Sequence, residues 1–91
     1  MQRKDEKTLQ IRNIVGRIIK DFRINQLKLS CNEFERAYEF SRGNVNRIEN
    51  CVVDCKLISF WKVAEGLGMK PSELLALIEK ELGDDFKLID E

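Results

Sequence analysis

Residues 30–50 read SCNEFERAYEFSRGNVNRIEN, and their punctuation sets the architecture. Ser30-Cys-Asn-Glu33 has the spacing of a capping box, in which the Ser30 hydroxyl accepts from a first-turn amide and Glu33 reaches back to the Ser30 N–H. A short helix therefore starts at Ser30, carries Phe34, Ala37 and Tyr38 on one side, and stops at about Glu39. Ser41 is placed to cap a second short helix, Arg42 to about Asn50, whose inward side is Val45 and Ile48. At 100° per residue, the direction opposite those two falls on Gly43, Asn46, Arg47 and Asn50. The exposed face is predicted to be polar, basic and low in profile.

Working outward, Ile11, Val15, Ile18, Ile19 and Phe22 recur at three- and four-residue intervals, the period of an amphipathic helix. Thr8 is its expected cap, Asn25 its approximate end, and NQLKL a turn. Downstream, Asp54 is expected to cap a helix from about Cys55 to Gly66 with an apolar set of Leu57, Phe60, Trp61, Ala64 and Leu67. Gly68 fits a left-handed stop. Pro71 and Ser72 open the last helix, PSELLALIEKEL, and Gly83 ends it. The division is a flexible N-terminal extension (1–7), a helical domain (8–83) and an acidic tail (84–91). No strand-like alternation exceeds the tail, so the expected class is all-α with five short helices.

Ninety-one residues suit one small domain, which buries roughly 60–65% of its unfolded-chain surface. Hydrophobic content of 43% with 35% charged residues is globular in character. The longest apolar run is Leu74 to Ile78, and the N-terminus is charged where a signal peptide needs an apolar core, so a cytoplasmic protein with no membrane segment is expected. The chain has no His, which removes the commonest general base and metal ligand; no enzyme activity, cofactor or metal is expected. Net charge is zero but unevenly spread. Residues 1–50 hold eleven Lys/Arg against seven Asp/Glu, and residues 51–91 hold five against nine, which predicts a basic face opposite an acidic one.

A helix, a tight turn and a second helix with an exposed polar face make the helix-turn-helix pattern. Here the sequence resembles the Cro/C1-type (XRE) family of bacterial and phage repressors. Phe34, Tyr38, Phe40, Val45 and Ile48 fill the apolar positions of the motif, and NRIEN (46–50) is similar to the family's SRIERG. GRIIKDFR (16–23) resembles its first helix and FWKVAEGLGMKPSELL (60–75) its fourth helix and the start of its fifth. The turn after the first helix is one residue longer than usual. Three positions depart: Cys31 stands where the family has a phosphate-binding Gln, Glu35 where it has a small Ala against the recognition helix, and Glu39 where it has Gly. Glu35 is tolerable only if its carboxylate reaches solvent or a base such as Arg36.

The resemblance implies a compact five-helix, lambda-repressor-like domain whose helix 42–50 lies in the major groove of double-stranded DNA. It also implies that Glu49 pairs with Arg23 to orient that helix. From the residues themselves, Arg donates bidentately to guanine and Asn to adenine, which makes Arg42, Asn44 and Asn46 the base-reading candidates and Arg47 a base or phosphate contact. Glycine inside a helix costs about 1 kcal/mol, so Gly43 is either a lenient surface site or a point of close backbone approach. Ser30, Ser41 and the first-turn amides of both helices are candidate phosphate sites, with Asn50 beside them. One such module binds weakly, which favours a homodimer, and Leu82, Phe86 and Ile89 are the expected interface, with Leu74 and Ile78 in the core. Cys51 and Cys55 read as ordinary half-buried thiols ahead of a redox pair or a zinc site. Val52 and Val53 either fold back on the core, contact a second subunit or receive a protein partner.

Overall fold

A computed structural model describes residues 4–89, and among them all regular structure is helical. The first helix, α1 (Lys4–Phe22), starts earlier than its expected Thr8 cap, so Thr8 lies inside a helix that already includes part of the 1–7 extension. Residues 1–3 of that extension, and the last two of the acidic tail, lie outside the described residues. α1 buries Val15, Ile18 and Ile19, the stripe its period predicts. It does not end cleanly at Phe22. The chain continues as one π-helical turn, Arg23–Leu27, closed by Lys28 in the left-handed conformation (φ 59°). Asn25, Gln26 and Leu27, expected in the turn, therefore continue the helical path as a π turn, and the chain bends only at Lys28.

α2 (Cys31–Ala37) carries the expected capping box: Ser30 Oγ accepts from the Glu33 N–H at 3.1 Å, and Glu33 Oε1 accepts from the Ser30 N–H at 2.9 Å. Phe34 is fully buried, whereas Ala37 is exposed and Tyr38 lies at the boundary, so the inward side is narrower than predicted. α3 (Asn44–Glu49) is shorter than the expected 42–50 and begins at Gly43, with φ 81°. Ser41 is not its cap; the Ser41 carbonyl instead accepts from the Asn44 N–H at 3.0 Å. Gly43 is therefore not a glycine inside a helix. It supplies a left-handed residue in front of one.

α4 (Leu57–Gly66) starts after Lys56 with no side-chain cap. Asp54, expected to cap it, is engaged by Arg12 Nε at 2.7 Å. α5 (Pro71–Leu82) opens on proline, Glu73 Oε1 accepts from the Lys70 N–H at 2.8 Å, and Gly83 (φ 88°) follows its end.

One core unites the helices: Val15, Ile18 and Ile19 from α1, Phe34 from α2, Val45 and Ile48 from α3, Val63 and Ala64 from α4, Leu67 just after it, and Leu74 and Ile78 from α5. Glycine permits close contact at one crossing. A Cβ on Gly16 of α1 would lie 2.6 Å from the Glu49 carbonyl oxygen, so α1 and α3 touch backbone to side in a way no other residue allows. Among the described residues, no helix is long and apolar enough to cross a membrane.

Candidate nucleic-acid interface

A helix of six residues has almost no stability of its own, because nucleation costs are spread over too few hydrogen bonds. What fixes α3 is visible at its two ends, and both devices are carboxylates from outside the helix or at its last turn.

At the N-terminal end stands Glu35, 2% exposed. Its carboxylate accepts from three backbone amides of the neighbouring segment: Gly43 at 2.9 Å, Val45 at 2.8 Å and Asn46 at 3.2 Å. The sequence reading sent this side chain to solvent or to Arg36; it goes to neither. Glu35 is a cap supplied in trans. An anion at the positive end of a helix, accepting from otherwise orphaned donors, is the favourable arrangement for both charge and hydrogen bonding. The glycine at 43 turns the chain so that its amide joins the set.

At the C-terminal end, Arg23 and Glu49 form a fork-to-fork pair, Nε to Oε2 and Nη2 to Oε1, each at 2.8 Å, with side chains 7% and 4% exposed. Arg23 also donates Nη1 to the Leu29 carbonyl at 2.7 Å, and the Cys31 thiol lies 3.5 Å from Glu49 Oε1. The hydrogen bond to Glu49 raises the Arg23 pKa further. Burial, then the adjacent Glu49 charge, pushes the Cys31 thiol up from its ordinary range. The π turn, α2 and α3 are thereby tied at one point.

Between these anchors, α3 presents Asn46, Arg47 and Asn50 to solvent. Asn50 Nδ2 donates to the Asn46 carbonyl and to Asn46 Oδ1, at 2.9 and 3.0 Å, which holds the two side-chain amides together. The Arg47 guanidinium folds toward Gly43, with Nη1 3.0 Å from where a Cβ would sit there. Asn44 is partly turned away: its Nδ2 donates to Ser59 Oγ on α4 at 3.5 Å. Arg42 is exposed in the turn and, with Arg36, Asn32, Glu35 and Phe40, lines a surface pocket of about 340 Å³.

The candidate phosphate sites change most. The α3 amides are taken by Glu35, and Ser30 Oγ is taken within its own capping box, where the same two bonds hold the Glu33 carboxyl below its usual range. Neither helix start is a vacant anion site. The cations around the surface are side chains: Arg36, Arg42 and Arg47, and Lys62, whose Nζ donates to the Glu39 carbonyl at 2.7 Å and lies 4.9 Å from the Phe40 ring centre. Arg36 and Lys62 were missed in the sequence because they sit on α2 and α4, outside the stretch 41–50, and only folding brings them to its edge.

The expected interface in the tail is split: Leu82 and Phe86 are half-buried, Leu82 against the core, while Ile89 is 74% exposed. Leu74 and Ile78 belong to the core. Val53 packs on the core and Val52 is 61% exposed. Trp61, expected in the apolar set of α4, is instead half exposed. The three cysteines are free thiols; Cys51 Sγ donates to Asn13 Oδ1 at 2.8 Å, and burial pushes Cys55 up to about 11. No group of metal-ligating side chains comes together among the described residues.

Comparison with family models, characterised proteins and solved structures gives no match.

Proposed function

We propose that the chain is a sequence-specific DNA-binding regulator, repressor-like and cytoplasmic. In this reading it has a lambda-repressor-like five-helix fold with α2 and α3 as its helix-turn-helix, and it acts as a homodimer at an operator. The observation that carries the proposal is the outer face of α3: Asn46, Arg47 and Asn50 exposed together, on a helix clamped at both ends by buried carboxylates. A structural helix of six residues needs neither so polar a face nor so firm an orientation. A helix that reads base edges needs both, since readout depends on placing two or three side chains to within a fraction of an ångström.

The arrangement divides the work. Asn46 and Arg47 face the groove, with Asn50 beside them, while Arg42 and Arg36 flank the surface and reach phosphates. With the helix-start amides already occupied, backbone binding depends on arginine and is correspondingly sensitive to salt. Two phosphate contacts per copy, from Arg36 and Arg42, give a slope of about −2 per copy in log affinity against log salt concentration, and a third from Arg47 brings it to about −3.

The test is binding to genomic fragments, beginning with DNA next to the chain's own gene, over a range of salt. A steep salt dependence is expected. Arg47→Ala either lowers affinity for one sequence by about 1–3 kcal/mol, as a base contact does, or reduces the slope by about 1, as a phosphate contact does. Flat, negligible binding to every fragment sinks the proposal. It would favour a second reading, a protein-binding module of the same fold, antitoxin-like or anti-repressor, for which the exposed Val52 is the supporting observation.

A further inference from the structure

Val45 and Ile48 point into the core, and the side of α3 opposite them carries positions 43, 46, 47 and 50. Position 43 has no side chain, and the space above it is taken by Arg47. A Cβ at Gly43 would lie 3.0 Å from Arg47 Nη1 and 3.9 Å from its Cζ, and no other side chain comes within 4 Å of that point. Long side chains on a helix lean toward its N-terminal turn. The Arg47 N–H donates to the Gly43 carbonyl at 3.0 Å, so the guanidinium folds back over the residue that already holds its own backbone. The seat is fixed in turn, because the Gly43 N–H donates to the buried Glu35 carboxylate at 2.9 Å.

The surroundings leave the guanidinium's donors for something outside the chain. Among the described residues Arg47 forms no ion pair. Its neighbours on the face are committed to each other, Asn50 Nδ2 donating to both the carbonyl and Oδ1 of Asn46. Position matters as much as freedom. Phosphates line the walls of a DNA groove, where Arg36 and Arg42, both outside α3, flank the surface. A guanidinium drawn in over Gly43 instead lies on the outward side of α3, the part of a reading helix that meets base edges.

We infer that Arg47 reads a guanine and that Gly43 is the residue that positions it: the bare backbone at 43 seats the guanidinium where its two parallel donors meet O6 and N7 of one base. Only guanine offers two adjacent acceptors there. Adenine sets an amino group beside N7, thymine has one acceptor and a methyl group, and cytosine presents a donor. Gly43 is thus neither a lenient surface site nor a point where backbone approaches DNA; it leaves room for a side chain four residues ahead.

The inference rests on the proposed DNA reading, and its test separates the two. In the free chain, nuclear Overhauser contacts between the Gly43 Hα protons and the Arg47 side chain are expected, and their absence overturns the seat. Duplexes randomised over roughly 20 base pairs, about two half-sites, are then selected on the wild-type chain across salt concentrations. One fixed guanine is expected in each half-site. Arg47→Ala should erase that preference, a loss of about 5- to 150-fold, and leave the salt slope near −2 per copy. Replacing the guanine with 7-deazaguanine, which lacks the N7 acceptor, should weaken wild type about tenfold and Arg47→Ala not at all. Gly43→Asn keeps a residue that tolerates the φ of 81° yet puts a Cβ under the guanidinium. Its fold checked by thermal melting, it should be as blind to 7-deazaguanine as Arg47→Ala, although Arg47 is present. If Gly43→Asn does not fold, the Overhauser contacts decide the seat alone.

An Arg47→Ala chain that keeps the guanine preference and loses about one unit of slope has lost a phosphate contact, which overturns the inference while the regulator stands. Selected sites with no fixed guanine do the same. A folded Gly43→Asn chain with full sensitivity to 7-deazaguanine overturns the positioning role. Binding to no duplex at all removes the regulator and the guanine contact together, whatever the Overhauser contacts show.

Discussion

Six-residue α3 and twelve-residue α5 each bury one apolar pair in the same core, Val45 and Ile48 in one, Leu74 and Ile78 in the other. Their supports differ. α5 has its own local signals: a proline start, an acidic side chain on the N-terminal amide of Lys70, a glycine stop and three turns of amphipathic pattern. α3 has none of these; no side chain of its own caps its start, and its position comes from Glu35 and Arg23 on other elements. Apolar burial is tolerant of small rotations, whereas hydrogen-bonded ion pairs fix direction. The contrast suits a scaffold helix on one side and, under the proposed function, a reading helix on the other.

The comparison breaks most sharply at Arg23. Arg23→Met leaves the Glu49 carboxylate buried without its partner, and stability in urea is expected to fall by about 4 kcal/mol. Arg23→Met with Glu49→Leu together should recover much of that loss, because no uncompensated charge remains, yet DNA affinity should not recover if the pair sets orientation. Equal losses in the single and double variants would show that packing, not the pair, holds α3.

Glu35→Ala comes next. It strips the acceptor from the Gly43, Val45 and Asn46 amides, of which the Val45 bond is fully buried, and about 3 kcal/mol of stability should go with it. Amide hydrogen exchange should accelerate at Val45 and Asn46 while α5 stays protected to nearly the global limit. Uniform acceleration across both helices would mean that α3 and α5 are held in the same way.

A change in the opposite direction is expected at Glu39, which holds φ 60° between α2 and α3. Glu39→Gly should stabilise the chain by about 1 kcal/mol, since glycine adopts that conformation without a Cβ clash and the Glu39 carbonyl remains free to accept from Lys62. Thermal melting decides it, and a lower melting temperature would mean that the side chain contributes a contact larger than the strain.

These three sites also mark how far sequence reasoning reaches. Local signals were legible: the Ser30–Glu33 box, the Pro71 start and the Gly83 stop are each encoded within about one turn of the chain, and the period that buries Ile18 and Ile19 within a single helix. Glu35 was noticed as a misfit but not understood, because its partners lie eight to eleven residues ahead, across a turn whose shape depends on Gly43. Trp61 illustrates the converse failure. Helical periodicity places it on an apolar stripe, but α4 carries two such stripes, and sequence alone does not say which one faces the core. Asp54 was taken for a cap from its position ahead of α4, whereas its partner, Arg12, is forty-two residues away.

The smallest expected effect at neutral pH concerns two thiols on either side of the comparison. Cys55 lines a groove with Val15, Ile48, Phe60 and Ile78, and burial alone raises its pKa from near 9 to about 11. Cys31 is raised by burial and also by the Glu49 carboxylate beside it. In both, the folded chain holds a proton that the unfolded chain releases. Between pH 9 and pH 11 the unfolded state therefore binds fewer protons than the native state, and stability must fall as pH rises through that window. Cys55→Ala removes the Cys55 share of that slope, so the stability difference between wild type and variant should be constant below pH 9 and change above it, the wild type losing more. Alkylation gives an independent check, because a thiol shifted by about two units carries roughly one-hundredth of the thiolate near neutral pH. Cys55 should thus react far more slowly in the folded chain than in urea. A wild type whose stability holds level from pH 9 to 11 while Cys55→Ala declines would place the ionised thiol, not the neutral one, in the native groove.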